Sequence, residues 1–319
     1  LYQKNLRLLW VTDPWDTLDH ANDTTLRIVQ ECLALGAQCF WAEASGITLD
    51  DKRTRIQARE LRSATERGTP TLFGISDFTH IYYRVDPPVD MKYLHPLYLL
   101  KRAIPHGRPE VHSPFDVLFS MSEKIVPQEL EAYAASSRVA TRFEDFEAFG
   151  KKKVTTIAKP LHAAQSQGVV RLDWKTTTDT EKARTALSAL TDGFTRPAVL
   201  QEYLPEISNG EVRHWFIDGR FLASVRKKPA PGSLIIDMDQ GGTLAPHSCS
   251  DVEKKTAQNI GRWLTRNGIR MAAVDLISGK ITDINFTSPG LIVGMEKVVG
   301  RNLARDIARA LCAARSTKF

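Results

Sequence analysis

The chain has 319 residues, of which 42% are hydrophobic and 25% charged, with a formal net charge of +6. This fits an ordinary soluble globular protein, long enough for two or three domains and a sizeable core. The modest basic charge suits an anionic ligand such as a nucleotide but gives no support to a nucleic-acid partner, and no stretch approaches the ~18 apolar residues of a membrane-spanning helix.

Cys32, Cys39, Cys249 and Cys312 lack zinc or thioredoxin spacing, so they read as reduced thiols in a cytoplasmic protein. The opening "LYQKNLRLLWVTDPW" has no long apolar region of the signal-peptide kind. "LRLLWVTDP" then reads as a buried first strand ending at Asp13-Pro14. A helix follows, with Asp23 as N-cap and Gly36 as its stop, and "AQCFWAE" reads as a second strand. This βαβ rhythm predicts an open α/β domain.

Further along, "FTHIYYRVDPPVD" is another strand ending in a turn, and "MKYLHPLYLLKRAI" reads as helix. Residues 106–116 form a boundary containing a short "EV" strand. "SMSEKIVPQELEAYAA" reads as a helix with a proline interruption. "VATRFEDFEAFGKKKVTTIAKPL" gives strand, helix and strand, with "KKK" at 151–153 as a solvated turn. "EKARTALSALTDGF" is an amphipathic helix. From Pro197 the pattern turns to hairpins, then a helix at 251–267, a strand pair and a basic C-terminal helix.

Asp218-Gly219 is a strong two-residue hairpin turn. In that register Ile217 pairs with Arg220 and, further out, Glu211 with Arg226. Glu211, Arg213, Ser224 and Arg226 then share one face, either as a surface ion-pair cluster or as a ligand-facing floor. The second pair, "MAAVDLISGKITDINF", holds Asp275 and Asp283. A two-residue turn would put these on opposite faces, and a three-residue loop would put them directly across from each other. Opposed carboxylates are destabilising unless a cation lies between them, and oxygen ligands suit Mg²⁺. Solvated acids on an edge hairpin are the alternative. Side chains two apart on a strand share a face, so Asp283 and Asn285 point the same way.

"VLQEYLPEISNGEVRHWFIDGRFLA", "VDLISGKITDINFTSPG" and "RVDPPVD" together resemble the bacterial glutathione synthetases of the ATP-grasp superfamily. "DPWDTLDHANDTT" and "SEKIVP" match more weakly, and the motifs keep their order over almost the whole chain. The resemblance implies an ATP-grasp fold of class α/β: an N-terminal pre-ATP-grasp domain over 1–119, a lid over 120–203 and a C-terminal subdomain over 204–319. It implies an ATP-dependent ligase that activates a carboxylate as an acyl phosphate for attack by an amine, with Mg²⁺ as cofactor. For glutathione synthetase the acid is γ-glutamylcysteine and the amine glycine. No nucleic acid or membrane is implied, and a homo-oligomer, tetramer or dimer, is expected by analogy.

The same resemblance places Lys124 and Lys159 on ATP, and Gln201, Glu202, Tyr203 and Leu204 as the adenine-facing connector. Glu211 would hold the ribose, and Arg213 and Arg226 would face the phosphates or the acyl phosphate as catalytic cations. Asp275, Asp283 and Asn285 would bind Mg²⁺, while Arg84, Thr287, Ser288, Pro289 and Gly290 would face the peptide substrate. The chain departs from the family after "KPL", where "HAAQSQG" replaces a glycine-rich phosphate loop, and after Arg226, where "KKPAPGSLIIDMDQGG" replaces a substrate loop. The charges of Lys227 and Lys228 would substitute there for the lost arginine. Two alternatives stay open: a ligase for a different acid and amine, and a homologue that binds nucleotide or peptide without catalysis.

Overall fold

The computed structural model describes residues 5–104, 109–112, 114–161, 167–231, 236, 238 and 241–313. The expectations for His162, Ala163, Ala164 and Gln165, and for most of "GSLIIDMDQ", lie outside the described residues.

The first sheet is built from β1 (Arg7–Thr12), β2 (Gln38–Glu43), β3 (Ile47–Asp50), β4 (Arg53–Leu61), β5 (Thr71–Gly74), β6 (His80–Tyr83) and β7 (Glu110–His112). Its order is β3-β4-β2-β1-β6-β7, with β5 also paired to β4. β1 is central and parallel to both β2 and β6, which explains why its "LLWVT" run is wholly buried. The crossover helix α1 (Thr24–Ala34) starts where Asp23 Oδ1 accepts the Leu26 N–H at 2.6 Å. It stops before Gly36, which has a left-handed φ of 85°.

The hairpin strands β3, β4 and β5 were not anticipated. α2 (Met91–Ala103) follows Asp90, whose side chain accepts from Lys92 and Tyr93. α3 (Phe115–Ser120) was not anticipated either. The helix expected over 120–135 is instead a tight 3₁₀ segment at Val126–Tyr133, broken at Leu130 (φ −113°, ψ 42°). Pro127 sits in its first turn, where a missing N–H is tolerated, but the segment never settles into α-helix.

The second sheet comprises β8 (Ser137–Ala140), β9 (Thr155–Pro160), β10 (Val170–Asp173) and β11 (Ala198–Glu202) in the antiparallel order β10-β9-β11-β8. α4 (Phe143–Lys153) and α5 (Thr177–Leu190) cover one face with Phe143, Phe146, Phe149 and Leu187. "KKK" is the last turn of α4 rather than a free turn. Gly150 of that helix lies against Trp174, and a Cβ there would come within 2.1 Å of the indole. Ala158 and Leu200 face these helices, so alternation turns Ile157, Lys159 and Gln201 to the other face.

The third sheet holds β12 (Glu211–Ile217), β13 (Arg220–Lys228), β14 (Thr243–Pro246), β15 (Met271–Ile277) and β16 (Lys280–Asn285), all antiparallel, in the order β14-β13-β12-β15-β16. α6 (Asp251–Arg266) packs one face through Ile260, Trp263 and Leu264, and α7 (Ile292–Val299) and α8 (Leu303–Cys312) pack the other. Each of these two core clusters continues into the first sheet, through Leu9 and Phe40 or through Leu8 and Trp10.

Both hairpins of this sheet have two-residue turns followed by a bulge. In β12–β13 the ladder runs Ile217–Arg220 and Phe216–Phe221, then jumps to Trp215–Ala223, leaving Leu222 as the extra residue. The pairing expected between Glu211 and Arg226 is therefore wrong by one residue: Glu211 faces Lys227, and Arg226 faces Val212. A one-residue slip moves every later side chain to the other face. In β15–β16 the extra residue is Thr282, which brings Asp275 directly across from Asp283. The two acids meet as expected, but through a bulge and not a three-residue loop.

Candidate active site

A cavity of about 740 Å³ is bordered by the second sheet, the third sheet and the C-terminal ends of β1 and β6. Its floor is the β12–β13–β15–β16 face that the two bulges align. Arg213 clamps Asp275 with two parallel bonds, Nε to Oδ1 at 2.8 Å and Nη2 to Oδ2 at 2.7 Å. Lys227 Nζ lies 2.6 Å from Glu211 Oε2 and 3.0 Å from Asp275 Oδ2. Thr282, the bulge residue, donates its hydroxyl to Glu211 Oε1 at 2.8 Å. Burial alone would push the Asp275 carboxyl up, but Arg213 and Lys227 outweigh it and hold it well below the usual carboxylate range.

The roof comes from the second sheet. Lys159 Nζ donates to Gln201 Oε1 at 2.9 Å and to the Thr282 carbonyl at 3.3 Å. Burial lowers the Lys159 pKa against the pull of Asp283. Lys124 forms an ion pair with Asp283, and that charge outweighs burial to raise the Lys124 pKa. Glu202 is held by Lys280 at 2.8 Å and Lys153 at 3.2 Å, and accepts the Ser136 N–H at 3.0 Å. Although burial opposes it, these partners bring the Glu202 carboxyl down to about 2. Its side chain thus anchors the connector. Beside it, Tyr203, Leu204, Ile157 and Ile277 give the cavity an apolar slot of the kind a planar base requires.

The segment after β16 closes the third side. Glu123 Oε1 accepts the Thr287 N–H at 2.7 Å and the Thr287 hydroxyl at 2.9 Å. Burial, with Asp283 nearby, pushes the Glu123 carboxyl up. Arg84 Nη2 donates to the Pro289 carbonyl at 3.0 Å, Ser288 Oγ to the Arg84 carbonyl at 3.3 Å, and Trp215 Nε1 to the Gly290 carbonyl at 3.0 Å.

Every site residue expected from the sequence borders this cavity except Arg226. Arg226 lies on the opposite face, beside a shallow depression with Asn209 and Lys228. It donates to the Asn209 carbonyl at 3.3 Å and to His247 Nδ1 at 3.0 Å, while His247 Nε2 donates to Glu253 at 3.0 Å. The bulge at Leu222 explains the exchange, because it turns Arg226 out and Lys227 in. Glu123 and Thr282 also escaped notice. The glutamate was visible as the neighbour of Lys124 in "SEK", but nothing in the sequence marks Thr282 as a bulge.

The fit to a hard cation is uneven. Asp283 Oδ1 is buried with no hydrogen-bond partner among the described residues, and Asn285 donates through Nδ2 to the Ala273 carbonyl at 3.2 Å, which leaves its amide oxygen free to face a ligand. Those two oxygens suit Mg²⁺. Asp275 has both oxygens committed to Arg213 and Lys227, so in this geometry it anchors cations and offers no open ligand.

The chain matches the model "Prokaryotic glutathione synthetase, N-terminal domain" over residues 6–117 and "Prokaryotic glutathione synthetase, ATP-grasp domain" over 123–300. A glutathione synthetase of Prochlorococcus marinus is 27% identical over 312 residues, covering 96% of this chain and 98% of the relative. One of Neisseria meningitidis is 26% identical over 317 residues, covering 96% and 98%. Among solved structures, the D-cycloserine synthetase DcsG superposes with a TM-score of 0.68 at 15% identity, covering 96% of this chain and 98% of that one. The ATP-grasp ligase PsnB, complexed with a minimal precursor, gives 0.64 at 14%, covering 95% and 97%. These likenesses fix the fold as ATP-grasp, and the curated relatives make the chain an ATP-dependent carboxylate–amine ligase of the glutathione synthetase kind. By a match that spans nearly its whole length, the chain belongs to the prokaryotic glutathione synthetase family.

Proposed function

We propose that this ligase joins γ-glutamylcysteine to glycine at the expense of ATP, with ATP between the second and third sheets. The observation that carries the reading is the cavity in which Lys124, Lys159, Arg213 and Lys227 converge on Glu211, Asp275 and Asp283. In the first step an oxygen of the donor carboxylate bonds to the γ-phosphorus, and the bond to the β-phosphate oxygen breaks to release ADP. In the second, the amine nitrogen bonds to the acyl carbon, phosphate leaves with the C–O electron pair, and the nitrogen loses a proton.

Negative charge develops on phosphoryl oxygens in both steps, so fixed cations stabilise the transition states more than a nucleophilic triad would. Lys159, held by Gln201 and the Thr282 carbonyl, is placed to meet phosphate in the ground state. Lys227 takes the acyl-phosphate role first given to Arg226, because it is the cation that the bulge presents to the cavity. Arg213 acts through Asp275, which it locks in place. Asp283 and Asn285 would hold Mg²⁺, whose chemistry here is to neutralise phosphate charge. The apolar slot beside Gln201 to Leu204 suits adenine, and Thr287 to Gly290 with Arg84 suits the peptide.

Substrate-dependent ADP release with γ-glutamylcysteine plus glycine, together with identification of glutathione as product, tests the reading. ADP release that requires a different acid would overturn the dipeptide and leave the ligase class.

A further inference from the structure

Glu123 borders the cavity, yet the phosphate chemistry gives its charge nothing to do. Its surroundings show what it holds. β16 is the outer strand of its sheet, so the N–H groups on its free edge need partners from elsewhere. The main-chain carbonyl of Glu123 accepts the Ile284 N–H at 3.4 Å, and its Oε1 accepts the Phe286 N–H at 2.5 Å. The same oxygen takes the N–H and the hydroxyl of Thr287, which is only 5% exposed. The adjacent Lys124 pairs with Asp283. Two consecutive residues thus grip positions 283, 284, 286 and 287 from one side, and Asn285 lies between held neighbours.

A tie that served packing alone would not call for a carboxylate. Burial and the nearby Asp283 charge both disfavour the ionised form, a cost that a neutral acceptor would avoid. What the charge provides is strength, since hydrogen bonds to an ionised acceptor are roughly twice as strong as neutral ones. Strength matters at this junction. On one side stand the Asp283 and Asn285 oxygens suited to Mg²⁺, and on the other stands the segment assigned to the peptide. The first chemical step brings the γ-phosphate and the donor carboxylate together, and a misplacement of about 1 Å can cost roughly 10²-fold in rate.

We propose that Glu123 is a positioning residue for the ligation: it fixes the Asp283–Asn285 stretch in register with the Thr287 to Gly290 segment, so that the donor carboxylate and the γ-phosphate meet in line. Glu123 touches neither reactant and acts through Phe286 and Thr287. The proposal rests on the ligase reading and leaves the identity of the acid open.

The experiment uses Glu123→Ala, Glu123→Gln, Thr287→Val and the Glu123→Ala/Thr287→Val double variant, with steady-state ligation kinetics and amide hydrogen exchange of the protein free of metal and nucleotide. A melting curve verifies each fold, and Thr287→Val removes only one of the three donors, so it tests the tie gently. Glu123→Ala should lower kcat by roughly 10–100-fold with little change in KM for ATP, as expected of lost alignment. Glu123→Gln keeps an acceptor oxygen and should recover part of the loss. The double variant should lose less than the two single losses combined, because both act on one contact. Exchange should quicken over residues 284–290 in Glu123→Ala while α6 stays protected. A rise in KM at unchanged kcat, strictly additive losses, or unchanged exchange over 284–290 overturns the positioning role and leaves the ligase reading intact. If wild type releases ADP only with an acid other than γ-glutamylcysteine, the dipeptide assignment falls, and the same kinetic cycle run with that acid decides the role of Glu123. Wild type that releases no acid-dependent ADP at all overturns both.

Discussion

Lys227 lies across the hairpin from Glu211, with its Nζ 2.6 Å from Glu211 Oε2, while its neighbour Arg226 reaches His247 on the far side of the sheet. A single extra residue, Leu222, decides which of two adjacent cations meets the cavity. Lys227→Ala should therefore lower kcat by roughly 10²–10³, the usual cost of one lost transition-state donor. Lys227→Arg should restore part of it, and Arg226→Ala should leave kcat and KM near wild type. Steady-state kinetics of the three variants give the ranking, and a larger loss in Arg226→Ala would reverse it.

Asp275 is the hub of a buried ion-pair network, with side-chain exposure of 6% against 13% for Arg213. Asp275→Asn leaves two cations without their shared anion and should cost roughly 3–5 kcal/mol in denaturant unfolding. The pH dependence has a definite sign. The folded carboxyl titrates below its unfolded value of ~3.9, so its contribution is complete above that value and is lost as pH falls through the depressed folded value. The stability gap between wild type and variant should be flat near neutrality and narrow only in acid. A gap that closes near pH 7 would contradict the network.

Asp283 supplies the orphaned oxygen, so Asp283→Asn should weaken divalent-cation binding by more than the ~10-fold typical of outer-shell changes. Mn²⁺ titration in the presence of ADP, followed by electron paramagnetic resonance, reads this without turnover. Unchanged Mn²⁺ affinity would move the metal site elsewhere.

Gly150→Ala tests the packing of the second sheet. The new methyl would meet the Trp174 ring, and overpacking of this sort costs roughly 1–3 kcal/mol. Hydrogen exchange should rise first in β9 and β10, with the third sheet protected. Uniform loss of protection would mean that the sheets unfold as one unit.

Local signals carried much of this architecture. Asp23 before an apolar 3.6-residue pattern and Gly36 after it marked α1, and the long apolar run of β1 marked a central strand. The opposed acids were also legible, because like charges facing each other demand a reason and a cation provides one. Register was the blind spot. Asp218-Gly219 announces a two-residue turn and the loop between Asp275 and Asp283 reads as two or three residues, but no local pattern marks the extra residues at Leu222 and Thr282. β3 to β5 escaped for a related reason: "TLDDKRTRIQAREL" alternates charged with apolar residues on a half-exposed hairpin, where the hydrophobic signal is weak. The 120–135 segment has helix-forming residues, yet tertiary contacts such as the isolated bridge between Ala134 and Ile281 hold it in tighter turns.

The central claim is that this cavity drives ATP-dependent ligation of γ-glutamylcysteine to glycine. Its most direct measurement is ADP release by the wild-type protein with MgATP and both substrates, against controls lacking each in turn, with mass-spectrometric detection of the product. The account predicts ADP and glutathione in equal amounts, formed only when the acid and the amine are both present. ADP released at the same rate without γ-glutamylcysteine, or no ADP with both substrates, would contradict it.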